Sequence, residues 1–189
     1  MTTGDCFIMI GSKKEEPMTL YLLKQIRGNK VDALSISINK HWIHGWDYPD
    51  EYDNDIPEEA IVLPCDTYTE VKRQMVEFCT EAHKYTQNNI VKADFKFEVG
   101  KHYYERFIET ITKIEDNRVY FKTLRIDPED ISPNWTWNAA IDILADHMVP
   151  LSEEVYNEIL SRYYKFVSHL QEFLFDLAQQ NAGAAETAK

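Results

Sequence analysis

One offset organises this chain. A shift of 88 positions carries KQIRGNKVDAL (24–34) onto TKIEDNRVYFK (112–122), and the same shift carries Val71, Met75, Phe78, Ala82 and Tyr85 onto Ile159, Tyr163, Phe166, Leu170 and Phe173. The first pair of segments has the look of a β-hairpin, because β-branched and aromatic runs flank turns at Gly28-Asn29 and Asp116-Asn117. The second pair recurs at steps of three and four, the period of a helix with one apolar stripe. Exact identities across the shift (Ile26 with Ile114, Asn29 with Asn117, Val31 with Val119, Tyr68 with Tyr156, Phe78 with Phe166) are few. The order of elements therefore carries the comparison, which is the form an internal repeat takes once its side chains have diverged.

Each half reads as a strand, a hairpin and a long helix. The first has CFIMIG (6–11), TLYLLKQIR (19–27), VDALSISI (31–38) and a helix over 66–86. The second has DFKFEVG (94–100), KHYYERFIETITKI (101–114), RVYFKTLRI (118–126) and a helix from about 153 to about 180, with Phe173 and Leu177 extending its stripe. SKKEEPMT (12–19) is an eight-residue insertion in the first half. Thr67 with Glu70 fits a capping box, and Ser152 is the N-cap candidate of the last helix, with Glu153 and Glu154 in its first turn. The expected fold is α+β: two similar modules, each a small antiparallel sheet or small barrel followed by a long amphipathic helix. They would cover residues 1–90 and 91–180, with 181–189 (NAGAAETAK) a disordered tail that has nothing to bury. The alternative is that two segments of one domain share a generic hairpin-then-helix order.

With 44% hydrophobic and 28% charged residues in 189, the chain has enough apolar side chains for a folded core. Its 20 Lys and Arg against 32 Asp and Glu leave a net charge of −12, a field that repels phosphate backbones and anionic lipid, so neither direct nucleic-acid binding nor membrane association is expected. MTTGDCFIMIGSKK has no basic n-region and only a short apolar run, which points to a soluble, cytoplasmic protein. Cys6, Cys65 and Cys79 form no CxxC pair, and buried free thiols are the expected state.

HWIHGWDYPDEYDND (41–55) is the long connection between hairpin and helix in the first half, and RIDPEDISPNWTWN (125–138) is its counterpart. Both hold Pro, clustered acids and two tryptophans. Aromatics set among carboxylates suit a surface that meets a basic protein, so Trp42, Trp46, Asp50, Glu51, Tyr52, Asp53, Asp55, Trp135 and Trp137 are the candidate partner-binding residues. A doublet such as Tyr103-Tyr104 or Tyr163-Tyr164 also turns one ring away from its local core.

Chemistry-bearing patterns are weak. His41 and His44, three apart, converge on a helix but diverge on a strand, and Gly45 beside them argues against a helix. The acids after them lack the central Gly and final Glu of an EF-hand loop. Neither a metal nor a cofactor is expected. Cys65 precedes a helix, whose dipole favours a thiolate, but Asp66 and the acidic loop oppose it, so a buried inert thiol is the better reading. Six dispersed glycines build no phosphate-binding loop. The function expected is a non-enzymatic interaction protein, an adaptor or accessory, with a protein partner or a second copy of the chain. The alternatives are an acidic mimic of nucleic acid that occupies another protein's binding surface, and a small enzyme working in a cleft between the modules.

Overall fold

The computed structural model describes residues 2–11, 17–28, 30–45, 48–53, 60–91, 96–141 and 147–187. Among these are eleven strands and two helices: β1 (Cys6–Ile10), β2 (Met18–Arg27), β3 (Lys30–Asn39), β4 (Trp42–Gly45), β5 (Asp50–Asp53), β6 (Ile61–Leu63), α1 (Thr67–Asn88), β7 (His102–Tyr104), β8 (Ile108–Glu115), β9 (Arg118–Asp127), β10 (Asp130–Ala140), β11 (Val149–Leu151) and α2 (Glu153–Thr187). The strands belong to one eleven-stranded antiparallel sheet, which overturns the expected pair of small separate sheet-plus-helix modules or barrels. Periodicity reports which way side chains face. It is blind to which strand edges join, because those bonds are made by main-chain groups that every residue carries.

Two compact units divide the chain, residues 1–75 with 166–189 and residues 76–165, so each helix contributes to both. Strand order is the same in the two sets: β6-β1-β2-β3-β4, with β5 also on β3, and β11-β7-β8-β9-β10. The hairpins share their register as well. Arg27 opposes Lys30 and Leu23 opposes Ala33, with an extra residue at Lys24; Glu115 opposes Arg118 and Ile111 opposes Phe121, with an extra residue at Thr112. Each bulge falls at the same place under the offset of 88. The strand before each hairpin follows an offset of 96, since Cys6 pairs Leu22 and Leu63 where His102 pairs Thr110 and Leu151. The difference of eight equals the length expected for the insertion, but its expected bounds, 12–19, run too far, since Met18 and Thr19 already belong to β2 and pair with β1.

The buried helical stripe lies slightly round from the expected one. Thr67, Val71, Met75, Cys79, Ala82 and Thr86 are buried on α1, and Val155, Ile159, Tyr163, Val167, Leu170 and Leu174 on α2, again 88 apart. Phe78, Tyr85, Phe166, Phe173 and Leu177 are half-buried flanks of those stripes. At the start of α2 the Val155 N–H donates to Ser152 Oγ at 3.2 Å, the expected N-cap. Among the described residues the expected capping box at α1 does not form, the Thr67 N–H going to the Pro64 carbonyl. Glu70 turns forward to accept from Arg73 (2.6 and 2.8 Å) and Gln74 (2.8 Å), and these bonds pull its carboxyl down to about 2. The α2 helix runs on to Thr187, past the fraying point expected near 180, through Ala182, Ala184 and Ala185, the residue type of highest helix propensity.

Each hairpin has a face toward a helix and a face away from it. Ile36 and Gly45 face Met75 of α1. In the second unit His83 of α1 meets the Tyr104 hydroxyl at 3.1 Å and the Ile126 carbonyl at 2.8 Å, while the His102 ring stacks on Tyr156 of α2 at 3.9 Å. The opposite faces carry their own clusters: Phe7, Leu23, Val31 and Ala33 in the first unit, Tyr103, Ile111, Val119, Phe121 and Met148 in the second.

Candidate interaction site on the second hairpin face

The candidate residues fall on strands where long loops were expected. Trp42 lies on β4, half-buried, edge-on to His44 with ring centres 6.4 Å apart. Asp50 and Glu51 are exposed on β5, and Glu51 pairs with Lys30 at 3.0 Å. Tyr52 and Asp53 oppose Val31 and Lys30 in the ladder. Trp46 and Asp55 lie outside the described residues. Trp42 and β5 both pair with β3, but at opposite ends, Trp42 with Asn39 and Asp50 with Ala33. The first-half candidates are thus spread along a strand edge.

Trp135 and Trp137 are brought together. They sit two apart on β10, opposite Thr123 and Phe121 of β9, so both rings lie on the face turned away from the helices. The arrangement depends on a bulge. Ile131 opposes Ile126 on the helix side, and in a flat strand Trp135, four residues on, would share that side; the extra residue between Ser132 and Trp135 reverses the phase. Pro133 suits such a position, having no N–H to leave unpaired.

Around the two indoles lies a short polar ladder that sequence reasoning missed. Glu109 opposes Thr123 on this face and is only 4% exposed. Its Oε2 accepts a hydrogen bond from the Thr123 hydroxyl and another from Trp137 Nε1 at 3.0 Å, and the indole N–H is shared with Thr123 Oγ1 at 2.9 Å. Burial raises the carboxyl above its ordinary value against the lowering effect of these donors. Trp137 stacks on Phe121 at 4.8 Å, which fixes the indole that holds Glu109.

The outer end of the strip is open. Arg125 packs its guanidinium 5.4 Å from the Phe107 ring centre and 5.2 Å from that of Trp135, and Asp130 holds it from the side at 2.7 Å. Trp135 remains 49% exposed. A large ring is therefore presented with one side fixed by a cation and the other in solvent, at little further conformational cost on binding. The signal in the sequence was the alternation Phe107, Glu109, Ile111: a carboxylate between two apolar residues on one strand face.

Elsewhere, His102 bonds Thr110 Oγ1 at 2.8 Å and Glu153 Oε2 at 2.9 Å. The imidazole holds Glu153 below its usual range and pins the first turn of α2 to β7 and β8. Cys6 and Cys79 are buried, but Cys65 is exposed, against expectation, because the turn entering α1 turns it outward. Among the described residues no three His, Cys, Asp or Glu side chains are grouped to hold a metal ion, and no helix is long and apolar enough to cross a membrane. No protein-family model, curated protein or solved structure matches the chain.

Proposed function

We propose that this is a non-enzymatic protein-interaction module that engages a basic partner through the outer face of β10, with Trp135 as the anchoring ring. The observation that carries this reading is the half-exposed indole braced on a sheet by Arg125, which also packs on Phe107, since aromatic anchors on rigid elements dominate protein interfaces. The charge of −12 supports a partner of opposite sign, drawn in at long range and released by salt.

The test is a quantitative capture from native lysate with the wild type, Trp135→Ala and Val99→Ala, the last removing another exposed apolar residue in the same unit. A species retained by the wild type and Val99→Ala and lost with Trp135→Ala is the expected result. Once purified, it should bind Trp135→Ala more weakly by about 2 kcal/mol, roughly 30-fold in Kd. Equal capture by all three would remove Trp135 from the interface.

A further inference from the structure

We infer that Cys6 and Cys65 are the two halves of a thiol–disulfide switch that staples the first strand to the turn opening α1. The register brings them near each other, since Cys6 opposes Leu63 across the β1–β6 ladder and Cys65 follows Leu63 by two residues. The turn closes there, with the Thr67 N–H bonded to the Pro64 carbonyl at 3.0 Å.

The second unit supplies independent support. Under the offsets that relate the two strand sets, Cys6 corresponds to His102, Cys65 to Glu153 and Tyr68 to Tyr156. His102 and Glu153 touch side chain to side chain at 2.9 Å, and His102 stacks on Tyr156. The place where strand meets helix start thus brings the equivalent pair of positions together, joined by a hydrogen bond in one copy and occupied by two thiols in the other. The Cys6 sulfur accepts from the Tyr68 N–H, and it senses the charge of Cys65. Cys79 is no competitor: it lies twelve residues into α1, roughly 18 Å along the axis from Thr67.

A hydroperoxide would be the oxidant. The exposed Cys65 sulfur attacks the peroxide oxygen, the O–O bond breaks, and the alcohol or water leaves, giving a sulfenic acid. Cys6 then attacks that sulfur, the S–O bond breaks, and the Cys6 proton leaves with the hydroxide as water. Two thiols have lost two electrons and two protons to one peroxide. Burial pushes the Cys6 thiol up to about 11, so closure is the slow step and the sulfenic acid persists long enough to trap. Closure requires the exposed turn to bring the two Cα atoms to about 4.4–6.8 Å, the span of a disulfide.

The experiment treats the full chain with hydrogen peroxide and maps peptides without reduction. The expected result is one Cys6–Cys65 linked peptide, reversed by dithiothreitol, with a thermal midpoint several degrees above that of the reduced protein. Dimedone added early should label Cys65 alone. Cys79→Ser should leave all of this intact, whereas Cys65→Ser, an exposed change that leaves the fold unstrained, should abolish the link and the thermal shift. Oxidation of Cys65 to sulfinic acid or to an intermolecular dimer with no 6–65 link would overturn the proposal, as would a link through Cys79.

Discussion

The two hairpins, β2–β3 and β8–β9, share register, bulge and strand order, yet only one of their faces has been kept alike. Toward the helices, Leu20, Ile36 and Ile38 stand where Ile108, Leu124 and Ile126 stand, apolar for apolar. On the other face Thr19, Tyr21, Ala33, Ser35 and Ser37 correspond to Phe107, Glu109, Phe121, Thr123 and Arg125. In the first hairpin this face carries a Thr19–Ser37 hydroxyl pair at 3.1 Å and a Phe7–Tyr21 stack at 4.8 Å, but no buried carboxylate among the described residues. In the second it carries the acid, the arginine and the stacked rings. Packing against α1 or α2 constrains volume and polarity together, whereas the face turned away from those two helices is freer to acquire chemistry.

The comparison breaks most readily in the core. Ile36→Ala and Leu124→Ala remove equivalent fully buried side chains and should each cost about 3 kcal/mol in urea denaturation, the two agreeing within about 1 kcal/mol. A large loss in one and a small loss in the other would end the equivalence of the helix-facing sides.

Next come the places where the halves differ. Ser152→Ala should lower stability by about 1 kcal/mol, because it removes a cap whose counterpart in the first half is Pro64, with no side chain to donate or accept. Tyr163→Phe, by contrast, should stabilise by about 1 kcal/mol: the buried hydroxyl has no hydrogen-bond partner among the described residues, and its counterpart is Met75.

Glu109→Gln gives a smaller effect with a distinctive pH dependence. The folded-state pKa of Glu109 is raised, so the folded protein holds this proton more tightly than the unfolded chain. The wild type therefore loses stability as pH rises from the ordinary carboxyl range through the raised value, and Gln does not. The variant should be the more stable at neutral pH, and the advantage should vanish in acid. Thermal melts across that range check the sign, and Tyr21→Phe serves as the control at the equivalent position without a carboxylate.

Much of this architecture was legible in residue order. Gly28 (φ +63°), Asp116 (φ +46°) and Asn117 (φ +61°) mark hairpin turns because they tolerate left-handed backbone, and the helical stripes show because burial forces a period. The single sheet was not legible, since strand edges leave no side-chain pattern. The connection holding Trp42 and Glu51 read as loop because its strands, β4 and β5, are only four residues each, too short for alternation to stand out. Trp135 and Trp137 were found by composition. Glu109 and Arg125 were missed because charge in a strand ordinarily signals solvent, and only the register reveals what stands opposite.

The extra residue in β10 also gives that strand an unusual tolerance of altered length. Ile131 and Trp135 are an even number of positions apart yet face opposite ways, so losing Asn134 would leave them an odd number apart on a regular ladder, facing opposite ways still. A deletion within the regular stretch from Trp135 to Ala140 would turn over every side chain between the gap and the strand's end. The stretch Pro133-Asn134 is thus a single-residue reserve, letting chain length vary immediately before the paired indoles without exchanging the inside of the strand for its outside.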